Sequence, residues 1–100
     1  MESIEKTGIR PVVVEEIRAL AEKYGIEQVL LFGSRARGDF YRASDIDLAV
    51  RGGKIKEFSL DVRDTTSTLL DFDIVDMEKI SPGKFLDVIN REGIVLYEKI

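Results

Sequence analysis

An α/β domain with one mixed β-sheet, helices packed on one face and an open, carboxylate-bearing second face is predicted for this chain of 100 residues. Three observations lead there. Apolar residues recur at helical spacing in separate segments. Between and after these segments lie short stretches that are continuously apolar or alternate with period two, as strands do. In two of those stretches the face opposite the apolar one carries carboxylates, which belong in water.

The first helix opens at Pro11, whose missing N–H costs nothing in a first turn. It presents Val13, Ile17, Leu20 and Tyr24 on one face before Gly25 stops it. Residues 28–32 are short and apolar, a buried strand. The run Gly33-Ser34-Arg35-Ala36-Arg37-Gly38 breaks that strand, with a helix start at Ser34, and a polar loop continues to Ser44. Residues 45–50 alternate: Ile46, Leu48 and Val50 point one way, and Asp45, Asp47 and Ala49 the other. Gly52-Gly53 ends this strand. Residues 56–70 have helical spacing in Phe58, Val62, Thr65 and Leu69, with Thr65-Thr66-Ser67-Thr68 lowering propensity at the end. Residues 71–77 form a third strand, with Leu70, Phe72 and Ile74 on one face and Asp71, Asp73 and Val75 on the other. Ser81-Pro82 predicts an N-cap followed by proline at the first helical position, with Phe85, Leu86 and Ile89 buried. Gly93 stops that helix, and residues 94–97 make the last strand.

Composition removes several chemistries. There is no cysteine, hence no disulfide, thiol nucleophile or thiolate metal site, and no histidine, hence no imidazole base and no Ser-His-Asp triad. Any metal must be a hard cation held by oxygen. A hydrophobic content of 44% supports a packed core. At about 100–200 residues per domain, residues 1–100 are expected to form one domain. Residues 1–10 lack the apolar centre of a signal peptide. The apolar run Val29-Leu30-Leu31-Phe32 falls far short of the ~20 residues that span a bilayer, so a cytoplasmic protein without membrane contact is expected. A net charge of −4 gives no global attraction to nucleic acid, and direct nucleic-acid binding is not expected. Arg35, Arg37 and Arg42 form a local basic cluster all the same.

Asp45 and Asp47, at i and i+2 of one strand, place like charges on the same face, which is unfavourable unless a cation sits between them. Oxygen ligands of this type suit Mg²⁺, which takes one or two carboxylates plus substrate phosphates. Asp73, on the corresponding face of another strand, would complete a three-carboxylate cluster. Two Mg²⁺ ions about 3.5–4 Å apart can clamp the attacking and leaving oxygens of a phosphoryl centre. Taken alone, Asp-x-Asp on a strand is more often a solvated edge. An EF-hand loop is excluded, because its glycine and terminal glutamate are absent at their offsets. Gly33 and Gly38 allow close backbone approach, and Ser34 offers a hydroxyl and an N–H at a helix start. That arrangement cradles phosphate oxygens, with Arg35 and Arg37 beside it as positive charge. It is not a Walker A loop, since no Gly-Lys-Ser/Thr follows.

Together, Gly33-Ser34, ten intervening residues and Asp45-Ile46-Asp47 resemble the signature of the DNA polymerase beta-like nucleotidyltransferase superfamily. The run of residues 33–38 with Ser44-Asp45-Ile46-Asp47-Leu48, then Phe72-Asp73-Ile74-Val75-Asp76 and the closing Arg91-Glu92-Gly93 and Leu96-Tyr97-Glu98, resemble its minimal nucleotidyltransferase (MNT) branch, including the MntA-type antitoxins. The resemblance covers nearly the whole chain. It implies transfer of the nucleoside monophosphate of an NTP, usually ATP, to an acceptor with release of pyrophosphate, and selects Asp73 as the third carboxylate. It also implies an antitoxin whose partner is a helical HEPN-domain ribonuclease toxin, bound and adenylylated on a tyrosine. The missing second domain implies that a partner or a homo-oligomer completes the site. Two other readings stay open: an antitoxin that neutralises by contact alone, and a small-molecule nucleotidyltransferase, disfavoured because such relatives carry an additional helical domain. The acceptor, the NTP preference and the general base stay open as well.

Overall fold

Gln28–Phe32 (β1), Ile46–Arg51 (β2), Phe72–Asp76 (β3) and Ile94–Glu98 (β4) form one sheet in the order β3-β2-β1-β4. The computed structural model describes residues 3–100, apart from the side chains of Ser3 and Glu5. β1 runs antiparallel to β2 and β4, whereas β2 and β3 are parallel, so the sheet is mixed. A parallel pair needs a long crossover. Ile55–Thr65 (α3) supplies it. The remaining helices are Pro11–Lys23 (α1), the single turn Ser34–Arg37 (α2) and Lys84–Glu92 (α4), with 3-10 turns at Ser3–Thr7 and Met77–Lys79.

The strands form where the alternation places them, and the larger core follows from it. Val29 and Leu31 of β1, Ile46, Leu48 and Val50 of β2, and Phe72 of β3 meet Val13, Ile17 and Ala21 of α1 and Phe58 and Val62 of α3. α1 begins at Pro11 and ends before Gly25, whose φ of +68° supplies the reversal that residues with a Cβ avoid. Tyr24 Oη donates to Asp61 Oδ2 at 2.7 Å, tying the end of α1 to α3.

Three expectations require correction. The second face of the sheet is not left open to its full length. Leu30, Phe32 and Ala49 on that face are buried with Met77 and Ile89, and α4 lies over them. β1 is apolar on both faces, so its second face needs a cover as much as its first does. The carboxylates occupy only the end of that face. Second, α4 starts at Lys84 after Gly83, not at Ser81-Pro82, and Phe85 is half-exposed, leaning edge-on against Phe32 with ring centroids 5.8 Å apart. Third, α3 stops at Thr65, leaving Leu69 beyond the helix and fully exposed. The β-branched and hydroxyl run ends the helix, as those residues favour other backbone conformations. Among the described residues no helix is long and apolar enough to cross a membrane.

Candidate active site

At the end of β1 the chain passes through Gly33, with φ +79° and ψ −158°, and enters α2. The Gly33 carbonyl accepts the amides of Ala36 at 3.1 Å and Arg37 at 3.0 Å. Gly38, at φ +94°, ends the turn, and its amide and that of Asp39 reach the Ser34 carbonyl at 2.8 and 3.1 Å. The first amides of such a turn have no intrahelical acceptor. They stand beside the half-buried Ser34.

Register brings the carboxylates to this turn. Phe32 pairs with Asp47 across β1 and β2, and Asp47 pairs with Asp73 across β2 and β3. Partners in a ladder project to the same face, so Asp47 stands between the glycine turn and Asp73. A Cβ added at Gly33 would collide with Asp47 Oδ2 and lie 3.0 Å from Asp47 Cγ. Only a residue without a side chain allows this carboxylate to rest against the turn. Asp45 precedes β2 and Asp73 sits within β3; both are exposed, while Asp47 is half-buried. Asp71 lies just before β3 and is exposed, its carbonyl accepting the Ile46 amide at 2.9 Å. Asp76 caps the Met77–Lys79 turn, accepting the Glu78 amide at 2.9 Å.

The electrostatics identify Asp47 as the hub. Burial holds its carboxyl above the ordinary carboxylate range, the charges of Asp73 and then Asp45 raise it further, and Arg37 opposes them. Among the described residues no three acidic side chains already converge on one point as a cation cage. The donor chemistry still fits a hard cation: carboxylate oxygens only, in mutual repulsion that a cation relieves. Asp45 and Asp73, being exposed, can turn toward a common point with little repacking.

The basic cluster divides. Arg35, expected beside phosphate, is 2% exposed. Its Nε donates to the Ser44 carbonyl at 3.0 Å, Nη1 to that of Thr7 at 2.8 Å and Nη2 to that of Arg42 at 3.0 Å. Engaged on three sides and buried, it is not available as the phosphate-binding charge the sequence suggested. Arg37 is exposed on the same turn. Its Nε meets Asp39 Oδ2 at 3.2 Å, and its Nη1 lies 3.6 Å from Glu92 Oε1. Glu92 has no role that its local sequence predicts. Its Oε1 is shielded from solvent and makes no hydrogen bond. Nothing local in Arg91-Glu92-Gly93 signals the contact, because α4 meets α2 only through the tertiary fold.

This strand–glycine turn–helix joined to an Asp-bearing strand defines a nucleotidyltransferase domain. Residues 15–100 match the family described as "Polymerase beta, Nucleotidyltransferase", and the chain belongs to it. A protein of Methanocaldococcus jannaschii named "putative protein adenylyltransferase" is 37% identical over 96 residues, covering 85% of this chain and 94% of its own. Among solved structures, a toxin–antitoxin with AMP-PNP aligns with a TM-score of 0.68 at 24% identity, over 86% of this chain and 73% of that one. The MntA–HepT toxin–antitoxin aligns with a TM-score of 0.64 at 20% identity, over 90% of this chain and 74% of that one. These two likenesses show the fold. A "putative nucleotidyltransferase" of Sulfolobus solfataricus aligns with a TM-score of 0.55 at 26% identity, over 99% of this chain and 90% of that one.

Proposed function

We propose that this nucleotidyltransferase moves AMP from ATP to a hydroxyl of a partner protein, with Mg²⁺, and acts in the cytoplasm as antitoxin to a HEPN-type ribonuclease toxin. The observation that carries this reading is the in-register pair Asp47 and Asp73 beside a turn that only glycine can make. The M. jannaschii relative, named as a protein adenylyltransferase, and the structural likeness to toxin–antitoxin complexes support the acceptor class and the partner. Residues 1–100 form one nucleotidyltransferase domain in this reading, and a partner or a second copy completes the site for base and acceptor.

Asp45, Asp47 and Asp73 are the residues that would hold magnesium, one or two ions, which supplies charge neutralisation for phosphoryl transfer. A triphosphate beside these carboxylates in a chain of net charge −4 requires that compensation. Gly33 lets the phosphates approach the backbone, and Ser34 binds a non-transferred phosphate through its hydroxyl and the amides at the start of α2. Arg37 adds positive charge at the rim. Asp73, on the outer strand of the pair, faces the acceptor and orients its hydroxyl.

Incubation with labelled ATP, Mg²⁺ and the protein encoded beside it, followed by intact mass measurement, tests the reading. The partner is expected to gain one or more AMP units. A partner neutralised without ATP and without mass gain would put contact in place of chemistry.

Two further outcomes follow from the assignments. Ser34→Ala is expected to weaken nucleotide binding by roughly 1.5–3 kcal/mol, the worth of a hydrogen bond to a charged group, with metal affinity measured without nucleotide nearly unchanged. Titration calorimetry with ATP checks this, and equal affinity for variant and parent refutes the phosphate role. Among Asp71→Asn, Asp73→Asn and Asp76→Asn, only Asp73→Asn is expected to lose transfer while keeping most of its ATP affinity. Asp71 precedes the strand, and Asp76 is occupied in capping a turn. An inactive Asp71→Asn with an active Asp73→Asn would reverse the assignment.

A further inference from the structure

Among the described residues two polar side chains are buried, Thr7 and Arg35, and Arg35 hydrogen-bonds directly to the carbonyl of Thr7. Burying a guanidinium costs desolvation free energy, which its carbonyl partners offset only if they are held in place. Here two segments supply them. Thr7 closes the N-terminal turn by donating its hydroxyl to the Ile4 carbonyl at 2.6 Å and accepting the Ile9 amide at 3.2 Å. Arg42 and Ser44 belong to the loop leading into β2, where the Tyr41 amide donates to Ser44 Oγ at 2.8 Å and the Ser44 amide to the Tyr41 carbonyl at 3.0 Å. Arg35 itself is fixed in the helical turn of the phosphate-binding motif. The Phe40 ring covers its guanidinium at 4.6 Å.

Gly8 seals the arrangement. At φ +74° it holds a conformation that side chains avoid, and a Cβ there would lie 2.6 Å from Phe40 Cε2 and 2.8 Å from Arg35 Nη1. One peptide beyond Ser44 stands Asp45.

We propose that Arg35 is a positioning residue that uses the N-terminal turn, residues 3–9, to set the loop delivering Asp45 to the site. The proposal rests on the nucleotidyltransferase reading of Asp45. That turn lies ahead of the family match, which begins at residue 15, so the segment belongs to the working site although the family alignment does not include it. A planar fork of donors is needed to reach three divergent carbonyls, and lysine, a point charge, cannot span them.

The test compares the parent with Arg35→Lys, Gly8→Ala and their double variant. Two readouts are used: amide hydrogen exchange, and kcat and KM for ATP with Mg²⁺ in partner adenylylation. Each single variant is expected to raise exchange at the hydrogen-bonded amides of Tyr41, Ser44 and Ile46 about tenfold or more, with α1, α3 and β1 unchanged, because the opening is local. The double variant should exchange no faster than the faster single, since both break one linkage. kcat is expected to fall roughly 10–100-fold, as for a misplaced catalytic group, while KM for ATP stays within about threefold. If Arg35→Lys does not fold, Gly8→Ala alone carries the comparison, since its added methyl presses on Arg35 Nη1 and the Phe40 ring from the N-terminal turn. Unchanged exchange in the loop, or a uniform rise across the whole chain, overturns the proposal. So does a large rise in KM with kcat intact, which would make Arg35 a phosphate ligand after all. If the parent itself transfers no AMP, the proposed function fails on that ground, and the exchange data still decide whether the turn sets the loop.

Discussion

Replacing Asp47 by asparagine is expected to stop AMP transfer while leaving the fold intact, and to hold or raise thermal stability in metal-free buffer. Asp47 contributes no methylene to the larger core; its neighbours are the glycine turn and two other carboxylates. Loss of a ligand that places positive charge at a phosphoryl centre is worth several kcal/mol, and about 1.4 kcal/mol is a factor of ten, so transfer should fall by roughly 10³-fold or more. The stability effect has a definite pH dependence. The carboxyl of Asp47 is raised above its unfolded value, by burial first and then by Asp73 and Asp45. The native state therefore binds this proton more tightly than the unfolded chain does. Its contribution is fully present below the unfolded value and is lost as pH rises through the raised native one. Metal-free melting curves of parent and Asp47→Asn should accordingly separate in the variant's favour as pH rises from about 4 toward neutrality. Added Mg²⁺ should close the gap by stabilising only the parent. A variant that melts far lower than the parent yet still transfers AMP would make Asp47 a structural residue.

Gly33→Ala is expected to cost both stability and activity. The backbone at φ +79°, ψ −158° is open essentially to glycine alone, and such strain costs about 1–3 kcal/mol. For a domain of this size that corresponds to a fall of roughly 4–20 °C in Tm. The added methyl would also displace the Asp47 carboxylate, so activity should fall to the level of Asp47→Asn. Combining Gly33→Ala with Asp47→Ala, read against Asp47→Ala alone, separates the two contributions. Relief of the collision should restore part of the Tm, while the backbone strain stays. Full recovery of Tm would show that the glycine conformation itself carries no cost.

The local elements were legible because each follows from one repeating pattern. Proline at the start and glycine after the end bracket α1, and strict alternation places β2 and β3 so that Asp47 and Asp73 share a face. The glycine turn was legible for the same reason: a residue lacking a side chain, followed by serine, marks both close approach and a helix start. What escaped depends on distant partners. Arg35 reads as a surface cation because its partners are main-chain carbonyls, which no residue type announces. Ser81-Pro82 is a sound local start signal, yet the helix waits for Gly83. Burial of Ile89 against β1 fixes where α4 can lie, and local propensity yields to it. The cover over the second sheet face is not legible locally, because Asp47 and Asp73 mark only one end of a face whose remainder, Leu30 and Ala49, is apolar.

The parallel pairing of β2 with β3 carries a consequence for the order in which the molecule comes into being. Antiparallel neighbours such as β1 and β2 can zip from a nearby loop, but Asp73 meets Asp47 only when the chain has crossed back over the sheet through the α3 segment. Non-local pairings of this kind form slowly, because the intervening segment must be closed before any contact rewards it. During synthesis the glycine turn, Asp45 and Asp47 therefore emerge before Asp73 does. Under the roles proposed above, the site is complete only when the later half of the chain has arrived, and with it Phe72 and Leu96 of the core that the early half cannot close alone.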